Sequence, residues 1–110
     1  MINETIAKIE ERLKNAGSLS PEQRAELLRL LTTLKAEMGD LSTDEPDKAQ
    51  SIAGFTAVSA HEATREQKNP ELVDLSLKGL AQSVHGFEDS HPKLVQVVNS
   101  ICNTLSNLGI

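Results

Sequence analysis

Three histidines, one cysteine and a scatter of carboxylates are what this chain offers to metal or nucleophilic chemistry. Three of these groups fall together in "HGFEDSHPKL", His85 to Leu94. Glu88 and His91 have the Glu-x-x-His spacing that carboxylate-bridged di-metal proteins place on a helix, and His85 stands three residues before Glu88 as another donor. Such a site needs two of these motifs plus two further inward carboxylates, and this chain has one motif. A homodimer would supply a second by symmetry, but the neighbouring apolar stripes contribute no carboxylate. The plainer reading is a solvated Glu88 near a helix end and a His91 that caps or orients a turn. No metal and no other cofactor is expected; a metal-binding bundle using His85, Glu88 and His91 is the alternative.

The remaining groups carry less. His61 opens "HEATR", but Arg65 stands where the His-Glu-x-x-His of zinc proteases needs its second histidine. Glu62, Arg65 and Glu66 read instead as a solvated, charge-laced face. Cys102 flanks an apolar row between Val98 and Leu105, with no cationic neighbour or helix N-terminus to lower its pKa, so it reads as a small buried hydrophobe. Ser90 beside His91 is no triad, because base and nucleophile must face each other. "LKG" at 77–79 resembles the motif of histidine phosphotransfer domains, but Leu75 occupies the position of the phosphorylated histidine. No catalytic residue is assigned, and the chain is expected not to be an enzyme.

Composition narrows the partners. Apolar residues make up 38% of the chain, with no Trp, no Tyr and two Phe, Phe55 and Phe87. Stacking platforms for single-stranded nucleic acid and aromatic-lined small-molecule pockets are therefore both disfavoured. The formal net charge of −5 leaves no basic surface for phosphate backbones or anionic membranes. No apolar run reaches the ~20 residues of a membrane span. No signal peptide is evident at Met-Ile-Asn-Glu-Thr, and one cysteine forms no internal disulfide, so a cytoplasmic protein is expected.

The elements that must position these groups are all helical. Ile2, Ile6, Ile9, Leu13 and Ala16 repeat at spacings of 4 and 3, predicting a helix from Ile2 to Ala16 that ends at Gly17 in a left-handed cap. "SPEQ" supplies a capping box, Ser20 with Gln23, around Pro21. A second helix then carries Leu27, Leu31, Leu34 and Met38 and ends at Gly39. Residues 1–40 thus form an antiparallel hairpin, and 41–46 an acidic linker carrying Pro46. The C-terminal region, 47–110, holds helices at about 47–67, 70–89 and 92–108. The first is rich in Ala, with Ala49, Ile52, Ala53, Ala57, Ala60 and Ala63 forming a weak stripe. Asn69-Pro70 caps the second, which carries Val73, Leu77, Leu80, Val84 and Phe87. Leu94, Val98, Ile101, Leu105 and Leu108 line the third. The apolar phase passes from Phe87 to His91 and Leu94 without slipping, so two structures fit: a tight turn at Ser90-His91-Pro92, or one long helix kinked at Pro92. Proline disfavours helix in the residue before it, and Ser90 offers a cap, which favours the turn. The fold class is all-α: a five-helix bundle of antiparallel hairpins with coiled-coil-like a/d stripes.

Phe87, Glu88, Ser90, His91, Pro92 and Leu94, followed by an apolar helix and the terminal Gly109-Ile110, resemble the C-terminal end of a family of short bacterial proteins known as a domain of unknown function. The N-terminal hairpin is similar in pattern. The resemblance implies a helical bacterial protein and no particular chemistry.

The functional expectation is a non-enzymatic module that acts by protein–protein contact. Five narrow stripes leave apolar surface that a second helix pair would cover, most simply in a homodimer, otherwise on another helical protein. Val73, Leu77, Leu80, Leu94, Val98, Ile101 and Leu105 are the candidate interface, and the same residues equally suit a single-chain core. A third expectation is a larger partner bound through the acidic stretch Gly39 to Asp47. No nucleic acid, membrane or small-molecule substrate is expected.

Overall fold

Residues 2–108 are described by a computed structural model, and among them lie five helices and no strand: α1 (Ile2–Asn15), α2 (Pro21–Asp44), α3 (Pro46–Thr64), α4 (Pro70–Ser83) and α5 (Pro92–Ser106). The predicted all-α bundle is what forms. Local chemistry sets the helix starts. The Ser20 hydroxyl accepts from the Gln23 amide at 3.1 Å, and the Ser20 amide donates to Gln23 Oε1 at 2.9 Å, closing the capping box. The Asn69 side chain accepts from the amides of Glu71 and Leu72, ahead of Pro70 in the first helical position.

The helix ends depart from expectation, because side chains distant in sequence decide them. At the end of α1, Gly17 does not adopt a left-handed conformation. The Arg24 guanidinium satisfies the orphan carbonyls instead, donating to Leu13 at 3.1 Å and Ala16 at 2.7 Å. α2 does not stop at Gly39. The row Leu27, Leu31, Leu34 and Met38 gains Leu41, whose side chain is fully buried. Burying Leu41 contributes ~1.5–3 kcal/mol, more than the ~1 kcal/mol that a helical glycine costs. The stretch expected to be a linker is therefore helix as far as Asp44, and Glu45 alone separates α2 from α3.

α3 is the centre of the molecule and packs against all four other helices. Its buried face consists of Ala49, Ile52, Ala53, Thr56, Ser59, Ala60, Ala63 and Thr64, in which most members have a partner three or four residues further on. Small side chains let four neighbours approach one helix closely. The hydroxyls of Thr56 and Thr64 do not disturb the core, since each donates to the carbonyl four residues back, Ile52 at 2.7 Å and Ala60 at 2.6 Å. α1 lies against α2 and α3 through Ile6, Ile9 and Leu13. α5 closes the opposite side through Leu94, Val97, Val98, Ile101 and Leu105.

Between α4 and α5 the chain turns, as the proline argument favours, but the turn is longer than predicted. α4 ends at Ser83, not near residue 89, and α5 begins at Pro92. Gly86 makes the reversal with φ of +97°, a conformation costly for any residue with a Cβ. Val84 and Phe87 still reach the core, from the turn and not from a helix. Ser90 does not cap α5. His91 holds the N-cap position, and its side chain makes no capping bond.

Candidate functional site

The turn from Val84 to His91 gathers the three candidate metal donors without forming a ligand set. His85 Nδ1 lies 3.8 Å from Glu88 Oε2, with both side chains more than half exposed. The other Glu88 oxygen accepts from the Gly86 amide at 2.9 Å. Backbone amides, first that of Glu88 itself and then that of Gly86, hold the Glu88 carboxyl below its ordinary range, and His85 adds a smaller pull. His91 turns elsewhere: its Nδ1 sits 3.0 Å from Ser90 Oγ, and its half-buried ring stands edge-on to Phe87, centroids 5.6 Å apart. Glu88 thus works as a clasp on the positive-φ turn, and His91 packs as part of the corner. Among the described residues no three His, Cys, Asp or Glu side chains converge to hold a metal ion.

The other candidates stand apart from this turn. Glu62 binds Arg65 at 3.0 Å, and His61 lies 3.8 Å from the same carboxylate, but the Glu62 side chain is only 12% exposed, so the cluster is less solvated than the sequence suggests. Cys102 is half-buried, its sulfur 3.9 Å from the Leu77 carbonyl, and desolvation pushes its thiol up from the ordinary value. A raised pKa makes it a poor nucleophile at neutral pH.

The predicted interface lies inside the chain. Val73, Leu80, Leu94, Val98, Ile101 and Leu105 are buried in the core, and Leu77 is partly buried against it. α3 and α2 supply the cover that a second copy was expected to supply. The six buried residues are therefore unavailable to a partner while the bundle is folded. The acidic stretch from Gly39 to Asp47 is likewise no free strand of chain, since α2 and α3 absorb most of it.

The exposed apolar surface lies elsewhere. Among the described residues the exposed large hydrophobic side chains are Phe55 (40% exposed) and Val58 (48%) on α3, and Leu72 (40%) and Leu75 (66%) on α4. The two helices pack together, and the Phe55 ring lies directly over Gly79: a Cβ added there would meet ring carbons at 2.4 and 2.6 Å. Gly79, Leu75 and Leu72 follow one another at spacings of 4 and 3, so they share a face of α4. A groove of about 350 Å³ opens beside this contact, lined by Phe55, Gly79 and Phe87 with Lys48 and His85 among its polar residues. Lys48 Nζ sits 5.5 Å from the centroid of Phe87. In the sequence this face is masked by the more regular apolar row at 73, 77 and 80. The signal was present in Leu72 and Leu75, which stand off that row, and in Phe55 and Val58, set among small residues.

These features define a small all-α bundle with a central small-residue helix and an apolar outer face on α3 and α4. The chain belongs to the family described as a domain of unknown function, DUF4404, which matches residues 29–110. The match begins inside α2, so α1 lies outside it, and it takes in the Phe87–Leu94 turn. Gly109 and Ile110, the last residues of the resemblance, lie outside the described residues. No curated protein and no solved structure matches the chain. No helix among the described residues is long and apolar enough to cross a membrane.

Proposed function

We propose that this chain is a non-enzymatic bacterial module, cytoplasmic in location, that acts by contact with another protein through the outer face of α3 and α4. One observation carries the reading: Phe55, Val58, Leu72 and Leu75, the large apolar side chains left in water, all stand on that one helix pair. Scattered exposed hydrophobics are ordinary on a monomer, whereas a cluster on one face marks a contact surface. The groups with reactive potential support it by their dispersal, since the turn at 84–91, the charged face at His61 and the half-buried Cys102 lie on separate elements. A lone cysteine with no second thiol in the chain suits a reducing compartment.

The test is photo-crosslinking in living cells with p-benzoylphenylalanine at Leu72, and at Glu10 on α1 as control. The reading expects a discrete protein adduct, to this chain or to another, at Leu72 and none at Glu10. Equal labelling at both positions, or none at either, sinks it.

A further inference from the structure

We infer that the groove between the first half of α3, the end of α4 and the turn that follows is a binding site for a small organic monocarboxylate, one acid group on an apolar body. This inference goes beyond the contact reading above and does not depend on it.

The apolar wall comes first. Aromatic rings are scarce in this chain, two Phe in 110 residues, and both line this groove of about 350 Å³. Composition argues against an aromatic-lined pocket, but the fold concentrates what aromatic surface there is at one place. The Phe55 ring lies over Gly79, and Phe87 is anchored in the core with 6% of its surface exposed. Small-molecule sites use such walls, with volumes of about 300–1,000 Å³. The groove stands at the lower end of that range, which keeps the ligand small.

Charge sets the head group. The chain has 16 Asp and Glu against 11 Lys and Arg, yet no carboxylate lines this groove, whereas Lys48 and His85 do. The hydroxyls of Ser51 and Ser83 are occupied on their own helices, donating to the carbonyls of Asp47 at 3.2 Å and Leu80 at 2.6 Å. The side-chain N–H donors of the wall are those of Lys48, Gln82 and His85. Lys48 Nζ stands 5.5 Å from the Phe87 centroid, so cation and apolar wall meet within the length of one small ligand. Two carboxylates compete from outside the groove. Glu45 pairs with Lys48 at 3.0 Å, but both side chains are well exposed, and a surface pair of this kind yields readily to another carboxylate. Glu88 lies 3.8 Å from His85 and is held in the turn by the Gly86 amide at 2.9 Å. Other grooves lack the combination: the one at Arg12 and Arg65 is edged by Glu11 and Glu66, and the one at Lys35 has no aromatic ring.

The probes are 4-phenylbutyrate, 4-phenylbutan-1-ol and 4-phenylbutylamine, which share one apolar body and differ in the head group. Each is titrated into the nitrogen-15-labelled full chain and followed by proton–nitrogen correlation spectra. Phenylbutyrate should shift the amides of Phe55, Gly79, Gln82 and His85 saturably, with a Kd in the low millimolar range, the order expected of so small a ligand. The alcohol should bind several-fold more weakly, and the amine more weakly still. Lys48→Gln should weaken phenylbutyrate about fivefold and leave the alcohol unchanged. Phe55→Ala should weaken both, and far-UV circular dichroism checks that each variant keeps its helices. No saturable shift at these amides, equal affinity for acid and amine, or shifts centred on the Lys35 groove would each overturn the inference. So would a folded Lys48→Gln variant that binds phenylbutyrate as tightly as the parent. None of these outcomes alters the adduct expected at Leu72, which tests the contact reading separately.

Discussion

α3 has two faces, and they reverse the usual rule of size. Ala49, Ala53, Ser59, Ala60 and Ala63 point into the core, while Phe55 and Val58, a few residues away, stand 40% and 48% exposed. In most helices the larger apolar residues go inside because each removes more surface from water. Here the inside is crowded: α3 touches four helices at once, and Ile52 is the one large apolar side chain that its inner face buries. Volume, more than hydrophobicity, decides which side of α3 faces in. The large residues displaced to the outside, Phe55 and Val58, then make an apolar outer face.

The sharpest way to break this contrast is to add the same bulk to both sides. Ala53→Leu places extra carbons at a fully buried position between packed helices and should cost about 1–3 kcal/mol through displaced neighbours. Val58→Leu also enlarges an apolar side chain, but on the outer face, and should stay within about 0.5 kcal/mol of the parent. Urea unfolding reads both. If the two changes cost the same, the inner face is not limited by volume.

A smaller effect of opposite sign is expected at Ser59. Its hydroxyl is fully buried on the inner face, and it is the one buried side-chain oxygen or nitrogen without a partner among the described residues. An unpaired buried hydroxyl costs on the order of 1–3 kcal/mol, and alanine fills nearly the same space. Ser59→Ala should therefore raise stability by about 1 kcal/mol, seen as a higher urea midpoint at unchanged slope. Thr56→Val makes a useful contrast, because the Thr56 hydroxyl is already satisfied by the Ile52 carbonyl and nothing similar is relieved.

How far these faces were legible in the sequence differs between ends and middles. Helix starts are written locally, in Ser20-Pro21-Glu22-Gln23 and Asn69-Pro70, because a cap satisfies amides within a few residues of itself. Helix ends are not. α2 passes through Gly39 because Leu41 finds the core, and α1 is capped by Arg24, two partnerships that only the folded chain creates. The rank of α3 was hidden too: a stripe of alanines carries little hydrophobic signal, and its value appears only once other helices pack on it. On α4 two apolar rows compete, 73-77-80 and 72-75, and the choice between them depends on where α3 and α5 lie. The candidate donors at 85–91 were easier to judge, since one Glu-x-x-His motif without further inward carboxylates already argues for a corner.

The outer face admits a substitution that should leave the monomer almost untouched. Leu75 is 66% exposed, so Leu75→Glu removes little buried area and should change unfolding free energy by less than about 0.5 kcal/mol. A large loss would show that Leu75 supports the core, and the division between inner and outer faces would have to be redrawn at α4.

Gly79 lies on the seam between the two faces, and its effect is the smallest because two terms oppose each other. Alanine in a helix interior is favoured over glycine by about 1 kcal/mol. Yet the new methyl group would overlap the Phe55 ring, with carbons at 2.4 and 2.6 Å, so the ring must swing outward and lose its contact with α4. Because Phe55 is partly exposed, it can move without disturbing Ala53 or Ala60. Gly79→Ala alone should accordingly shift stability by only a few tenths of a kcal/mol. In a Phe55→Ala background the obstruction is gone, and the same change should yield most of the ~1 kcal/mol that helix propensity provides. The difference between the two measurements is the coupling between ring and glycine. A coupling near zero would mean that the Phe55 ring does not rest on Gly79 in solution. The space over Gly79 would then stand open, and the groove beside it would belong to α4 alone instead of to the α3–α4 seam.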